Sequence, residues 1–174
     1  MNLFKKLSLI ILILLVFSGN ILADIPHFLD FKYILNQSEA GKKAQIFLKS
    51  KLENGAKKLK DKEKALQDEE KKIIQQKKII SAEEYKKKVT ELRKKVSSLQ
   101  KERNTLLSSV SQQRSKARTE ILKVLNPVLT NYMKEKKIRM VVDKKSLLIG
   151  DENLDITNDI IKILNVKLKS INLK

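Results

Sequence analysis

The chain has no cysteine, no tryptophan, two prolines, four glycines and one histidine in 174 residues. Without cysteine there is neither a disulfide framework nor a thiolate metal site, so packing alone must hold the fold. The lone histidine, His27, has no His/Asp/Glu set converging on it, which argues against acid–base work and metal binding. Asp30 and Asp143 could meet if their segments align, but they read as solvated turn or strand-end carboxylates. The sequence contains no Walker loop, no G-x-S-x-G and no dinucleotide fingerprint. No catalytic, cofactor-binding or metal residue is therefore expected, no cofactor is implied, and the protein is read as a non-enzyme. Tyr33, Tyr85 and Tyr132 are too scattered to form a base-stacking platform.

What is abundant is lysine. Lys and Arg total 38 against 20 Asp and Glu, a net charge of +18. Such a balance raises the question of nucleic acid. Only Arg93, Arg103, Arg114, Arg118 and Arg139 are arginines, however, and bidentate phosphate recognition favours Arg over Lys. No specific nucleic-acid partner is expected.

The first 23 residues follow the order of a secretory signal peptide. Lys5 and Lys6 precede an apolar run from Leu7 to Phe17, then Ser18, Gly19 and the small residue Ala23. Ile21 stands where a strict A-x-A site has alanine, and an uncleaved anchor is the alternative. Leu7 to Ala23 falls short of the roughly 20 apolar residues of a usual span, which favours export with cleavage near Ala23. With no second apolar segment the exported chain is expected to be soluble, and export without cysteine fits a bacterial periplasm.

From Ser38 onward the hydrophobic period is helical. Leu52, Leu59, Leu66, Ile73 and Ile80 recur every seven residues, and Val89, Leu92, Val96, Leu99, Leu106 and Val110 continue in steps of three, four and seven. Heptads this sustained predict a coiled coil. Arg103 and Gln113 interrupt the second seam. At Ser81, followed by Glu84, a capping-box signature predicts a new helix start, with one uninterrupted helix as the alternative. The apolar-periodic stretches on either side of Ser81 are nearly equal in length, so a reversal there brings the chain back to its origin. Residues 37–125 carry 25 basic and 12 acidic side chains, which makes the two arms the cationic part of the chain.

The reversal supplies a partner for two β-like runs, "IRMVVD" and "SLLIG", since two strands alone are marginal. "HFLDFKYIL", from His27, is expected to lie beside them as the first strand. The strand positions named by this reading are Phe28, Leu29, Phe31, Ile138, Met140, Val141, Val142, Leu147, Leu148 and Ile149. Pro127 is expected to kink or restart the returning helix, and Asp155 or Thr157 to cap a last one. The expected organisation is a signal peptide at 1–23, a β-body from 24–36 and 126–174, and a helical-hairpin arm at 37–125 with its tip near 81. The fold class is α+β, with a small sheet completed by oligomerisation. A body this small, with open sheet edges, favours self-association.

These pieces resemble the Skp (OmpH) family of periplasmic chaperones. The likeness rests on "FLDFKYILNQSEAGKKAQIFLKSKLE", with its "SEAGKKA" junction at Ser38 to Ala44, and on "KEKKIRMVVDKKSLLIGDENLDITNDIIKILN", with "VVD" at 141–143 and "DIT" at 155–157. The resemblance implies a homotrimer whose β-bodies join into a hub, with three hairpins enclosing a cavity. It also implies ATP-independent holding of unfolded outer-membrane proteins between export and insertion. Client contacts would be diffuse over the basic arms, and the arms could touch an anionic membrane surface peripherally. Two other readings compete with it. One is a structural coiled-coil spacer or adaptor with a single dedicated partner, and the other is a basic protein for folded polyanions.

Overall fold

A computed structural model describes residues 25–173. The signal-peptide reading of residues 1–23 lies outside them. The described chain opens with strand β1 (His27–Leu29) and turns through helix α1 (Phe31–Gln37) into helix α2 (Glu39–Gln76). It reverses and returns along helix α3 (Ala82–Lys136), then forms strand β2 (Val141–Asp143) and two short 3-10 turns before helix α4 (Thr157–Lys167).

Polar caps set the changes of direction up to the start of α3. The Asp30 carboxylate accepts the Tyr33 N–H at 2.7 Å, which turns the chain into a helix one residue after β1. The fully buried Ser38 accepts the Gly41 N–H at 3.2 Å and starts α2, while the Asn165 side chain of α4 takes the Glu39 N–H at 2.8 Å. Both satisfy donors that a helix N-terminus leaves open. Gly41 is required at this corner, because a Cβ there would sit 2.0 Å from the Leu35 carbonyl oxygen.

At the far end Ser81 accepts the Glu84 N–H at 3.1 Å and starts α3. Between the helices, Ile79 and Ile80 both donate to the Gln76 carbonyl and close the reversal. The two long helices then run antiparallel. Lys88 meets Gln76, Lys95 meets Glu69, Lys62 meets Glu102 and Lys51 meets Ser109, so partners on α3 climb as those on α2 fall. At about 1.5 Å per residue, α2 reaches roughly 57 Å from the body.

The returning arm delivers β2 beside β1 in parallel register, Phe28 opposite Val142. Ile156 N–H donates to the Phe28 carbonyl at 2.9 Å, and a single bridge links Phe28 with Asp155 on the other side of β1. Under this short sheet lies the core of the body. Leu29 and Ile34 meet Ile121, Leu125, Val128 and Tyr132 of α3 and Ile160 and Leu164 of α4.

Several local expectations are corrected. Phe31 lies in α1 and not in a strand, because the Asp30 cap starts a helix at once. Ile138 and Met140 precede β2, where Lys137 adopts a left-handed conformation (φ 56°) that ends α3 and re-aims the chain. "SLLIG" is not a strand. Asp143 accepts the Lys145 N–H and turns the chain into a 3-10 segment (Lys144–Ser146), leaving Leu147, Leu148 and Ile149 in irregular backbone. Helix α3 does not restart at Pro127 but runs through it to Lys136, so "VLTNYMKEK" is its last stretch. Neither Asp155 nor Thr157 is the cap residue of α4. Ile156 occupies that place, and Asp155 accepts the Thr157 N–H at 2.9 Å from one position further out.

Asp155 ties the irregular segment to the sheet. It accepts from Lys144 Nζ at 2.7 Å, and that ammonium also lies 5.5 Å from the centre of the Phe28 ring. Partial burial pushes the Asp155 carboxyl up, but hydrogen bonds from Lys144 and from the hydroxyl and N–H of Thr157 outweigh it and hold the pKa below its ordinary value. A carboxyl lowered in the folded state contributes stability that is present above its unfolded pKa of about 4 and is lost as pH falls through the folded value. Asp155→Asn should therefore cost about 1–3 kcal/mol at pH 7, measured by urea unfolding. The gap to the parent should narrow as pH is lowered from 4 to 2, and a gap unchanged at pH 3 would contradict this role.

Candidate functional site

Two surfaces can carry a binding function: the long arm and the uncovered side of the body. Among the described residues no group of three or more His, Cys, Asp or Glu could hold a metal ion. His27 lies in β1, half-buried, with Nδ1 enclosed and without a hydrogen-bond partner. Asp30 accepts the Tyr33 N–H and Asp143 the Lys145 N–H, so both named carboxylates serve as local turn acceptors.

The structure brings the predicted seam together unevenly. Leu59, Ile73, Leu99 and Val110 are buried between the arms, and Leu66, Ile80, Val89, Leu92 and Leu106 are half-buried. Leu52 and Val96 stay exposed. Leu106 presses against Gly55, where a Cβ would meet its side chain at 2.5 Å, so that glycine makes room for an apolar contact across the arms. Salt bridges Lys62–Glu102, Lys95–Glu69 and Arg103–Glu63 tie the flanks. Each is solvent-exposed and contributes about 1 kcal/mol or less. The arms are thus held by a thin apolar seam with weak polar ties.

Gln113 has a use that the heptad pattern gave no sign of. The segment after α4 folds back onto the root of the hairpin, and Leu173, only 4% exposed, sits among Ala44, Leu48, Val110 and Ala117. Gln113 Nε2 donates to the Leu173 carbonyl oxygen, and Lys51 Nζ donates to Gln113 Oε1 at 2.8 Å and to Ser109 Oγ at 2.7 Å. The polar interruption in the seam is the anchor of this clasp. Only the small Ala44 and Ala117, which leave room for a leucine between the helices, could have announced it.

On the body, Ile25, Met140, Leu148, Ile149 and Val166 are exposed. The inner positions Phe28 and Leu29 are buried, while Val141, Val142 and Leu147 are half-buried. Strand β2 has β1 on one side and, among the described residues, no strand on the other. An unpaired edge beside uncovered aliphatic side chains is the usual setting for strand-to-strand association.

The family model described as "Outer membrane protein (OmpH-like)" matches residues 27–164, from β1 through most of α4. The chain belongs to the OmpH-like family. Its fold is similar to that of a protein from Caulobacter crescentus CB15 assigned as an outer membrane chaperone (OmpH-like), with a TM-score of 0.78 at 19% identity. The likeness covers 90% of this chain and 94% of that one. No curated protein matches the chain. The OmpH-like match extends over both strands and both arms, so the helical hairpin between β1 and β2 is part of what is shared. Among the described residues no helix is long and apolar enough to cross a membrane.

The clasp makes a prediction of its own. Leu173→Ala leaves a void at the hairpin root and should lower stability by about 2–4 kcal/mol, read from urea unfolding. A change below about 0.5 kcal/mol, the scale of an ordinary surface substitution, would mean that the tail is not seated there.

Proposed function

We propose that the protein is an ATP-independent holdase chaperone of the bacterial periplasm. It binds unfolded outer-membrane proteins between cationic arms, prevents their aggregation and releases them for membrane insertion. The observation that carries this reading is the arm itself: two antiparallel helices, +13 in net charge over residues 37–125, projecting from a small body with an open sheet edge. Membership of the OmpH-like family and the fold shared with the Caulobacter crescentus CB15 protein support it.

In this reading residues 1–23 are a cleaved leader, residues 24–36 and 126–174 form the trimerising body, and residues 37–125 form the arm. Three bodies join through the outer edge of β2 and the exposed Met140, Leu148 and Ile149, and three arms then surround a common space. Long-range attraction by the arms acts within about 8 Å of their surface at physiological ionic strength. The same lysines suit a peripheral contact with an anionic membrane surface. Weak, exposed ties between and along the arms let them adapt to clients of different size.

Dilution of a denatured outer-membrane β-barrel protein with and without this protein tests the reading. Turbidity should be suppressed at a ratio near one trimer per client, with no nucleotide present. Binding of one dedicated folded partner without suppression would favour a coiled-coil spacer instead, and tight salt-dependent binding to folded polyanions alone would favour a polyanion binder. Replacing any one arm lysine by Ala should change client affinity by well under 1 kcal/mol, as measured by fluorescence titration. A collapse of affinity on one such change contradicts diffuse binding. Light scattering at micromolar concentration should give three times the chain mass, and a monomer would contradict assembly through the body.

A further inference from the structure

The seam between the arms closes only in places in the outer half of the hairpin, at Ile73 and Leu99, and stays partly open between them. Along one face, between the stretches 63–74 of α2 and 85–103 of α3, lies a groove of about 570 Å³. Half-buried seam side chains such as Leu66 and Leu92 form its floor, and Ile74 (58% exposed) and Val96 (51%) stand open within it. Val96 is a seam position by its spacing, yet about half of it is left uncovered. The amide side chains Gln67 and Gln100 lie along the lining, one from each arm.

Three features of this groove select its occupant. Residues 63 to 74 of a helix span roughly 16 Å, which is the length of about five residues of extended chain. A strand of that length directs about three side chains to one face, and the volume is that of a small-ligand site. Amide side chains both donate and accept, so Gln67, and Gln100 through its carbonyl oxygen while its Nε2 donates to Asn104, suit the backbone N–H and C=O groups that an unpaired strand carries. A folded domain presents such free backbone groups only along the edge strand of a sheet, whereas an unfolded chain carries them throughout.

We infer that this groove binds a single extended segment of an unfolded chain, about five residues long, with apolar side chains at alternate positions. This rests on the holdase reading and adds to it a discrete subsite on each arm. The subsite lies between the two helices of one hairpin and is independent of the space enclosed by several arms. It recognises the alternation of a β-barrel strand, whose apolar residues all fall on one face, and passes over an unpatterned apolar run.

The test uses the full exported chain and two fluorescently labelled peptides with glutamate-containing flanks. One has alternating valine and threonine, and the other has the same composition with its valines consecutive. Anisotropy titration should show the alternating peptide binding at least fivefold more tightly. Ile74→Asn combined with Val96→Asn changes two exposed positions and should remove that preference, while Leu107→Asn, also at an exposed position but outside the lining, should leave it intact. Should circular dichroism show the double variant melting early, Gln67→Ala with Gln100→Ala serves in its place, with an expected threefold loss for the alternating peptide. Equal affinity for the two peptides, or a preference that survives in a folded groove variant, overturns the subsite. The aggregation assay separates this from the holdase reading. Suppression without peptide preference rejects the groove alone, and peptide preference without suppression rejects the holdase reading while leaving the groove in place.

Discussion

Two strands of three residues each, His27–Leu29 and Val141–Asp143, run parallel with more than a hundred residues between them. A flexible loop of that length would oppose the pairing by about 4 kcal/mol of closure entropy, and two short strands cannot offset much of that. Here the intervening chain is a stiff hairpin that starts and ends at the same place. Its root is packed into the same core as the strands, through Ile121, Leu125 and Val128. The body therefore depends on the arm for closure, and the arm depends on the body for its base. A helix that continued straight past Ser81 would leave β1 without a neighbour and would part Leu29 and Ile34 from the other seven buried residues of the core.

The hairpin root is where apolar contact is densest, and the outer arm is where it thins. Near the body, Leu173 and the Gln113–Lys51 hydrogen bonds brace the two helices. Further out the seam holds single buried residues such as Ile73 and Leu99, separated by half-buried ones and flanked by exposed ion pairs. Elements with few buried contacts are those that open most readily. A fixed base with an adaptable outer length is what a protein needs in order to hold partners of unequal size, and it follows from where the leucines stop being covered.

The architecture was legible in the sequence because it is written in long periodic signals. Heptads from Leu52 to Val110, the Ser81–Glu84 cap and arms of equal length were enough to place the reversal and to bring β1 to β2. The shorter signals misled. Apolar runs at "FKYIL" and "SLLIG" look like strands, but Asp30 and Asp143 each accept an N–H two or three residues on and bend the backbone away. Pro127 suggests a kink or a restart, yet α3 does not restart there and continues to Lys136. The seat of Leu173 and the open groove around Val96 were not legible, because both depend on which seam positions a distant segment covers. Spacing alone gives the stripe and not its cover.

The reversal at Ser81 can be measured directly. The chain has no cysteine, so Lys60→Cys with Asn104→Cys admits a pair of spin labels at exposed positions, each two residues from the Lys62–Glu102 pair that links the arms. Dilution with unlabelled chain keeps the distance within one molecule. Helices packed side by side lie about 8–10 Å apart, and with the labels' own reach the pulsed electron–electron distance should fall near 20 Å. A distance of about 66 Å, the rise of 44 residues along one continuous helix, would contradict the hairpin and with it the joined strands, the body and the arm.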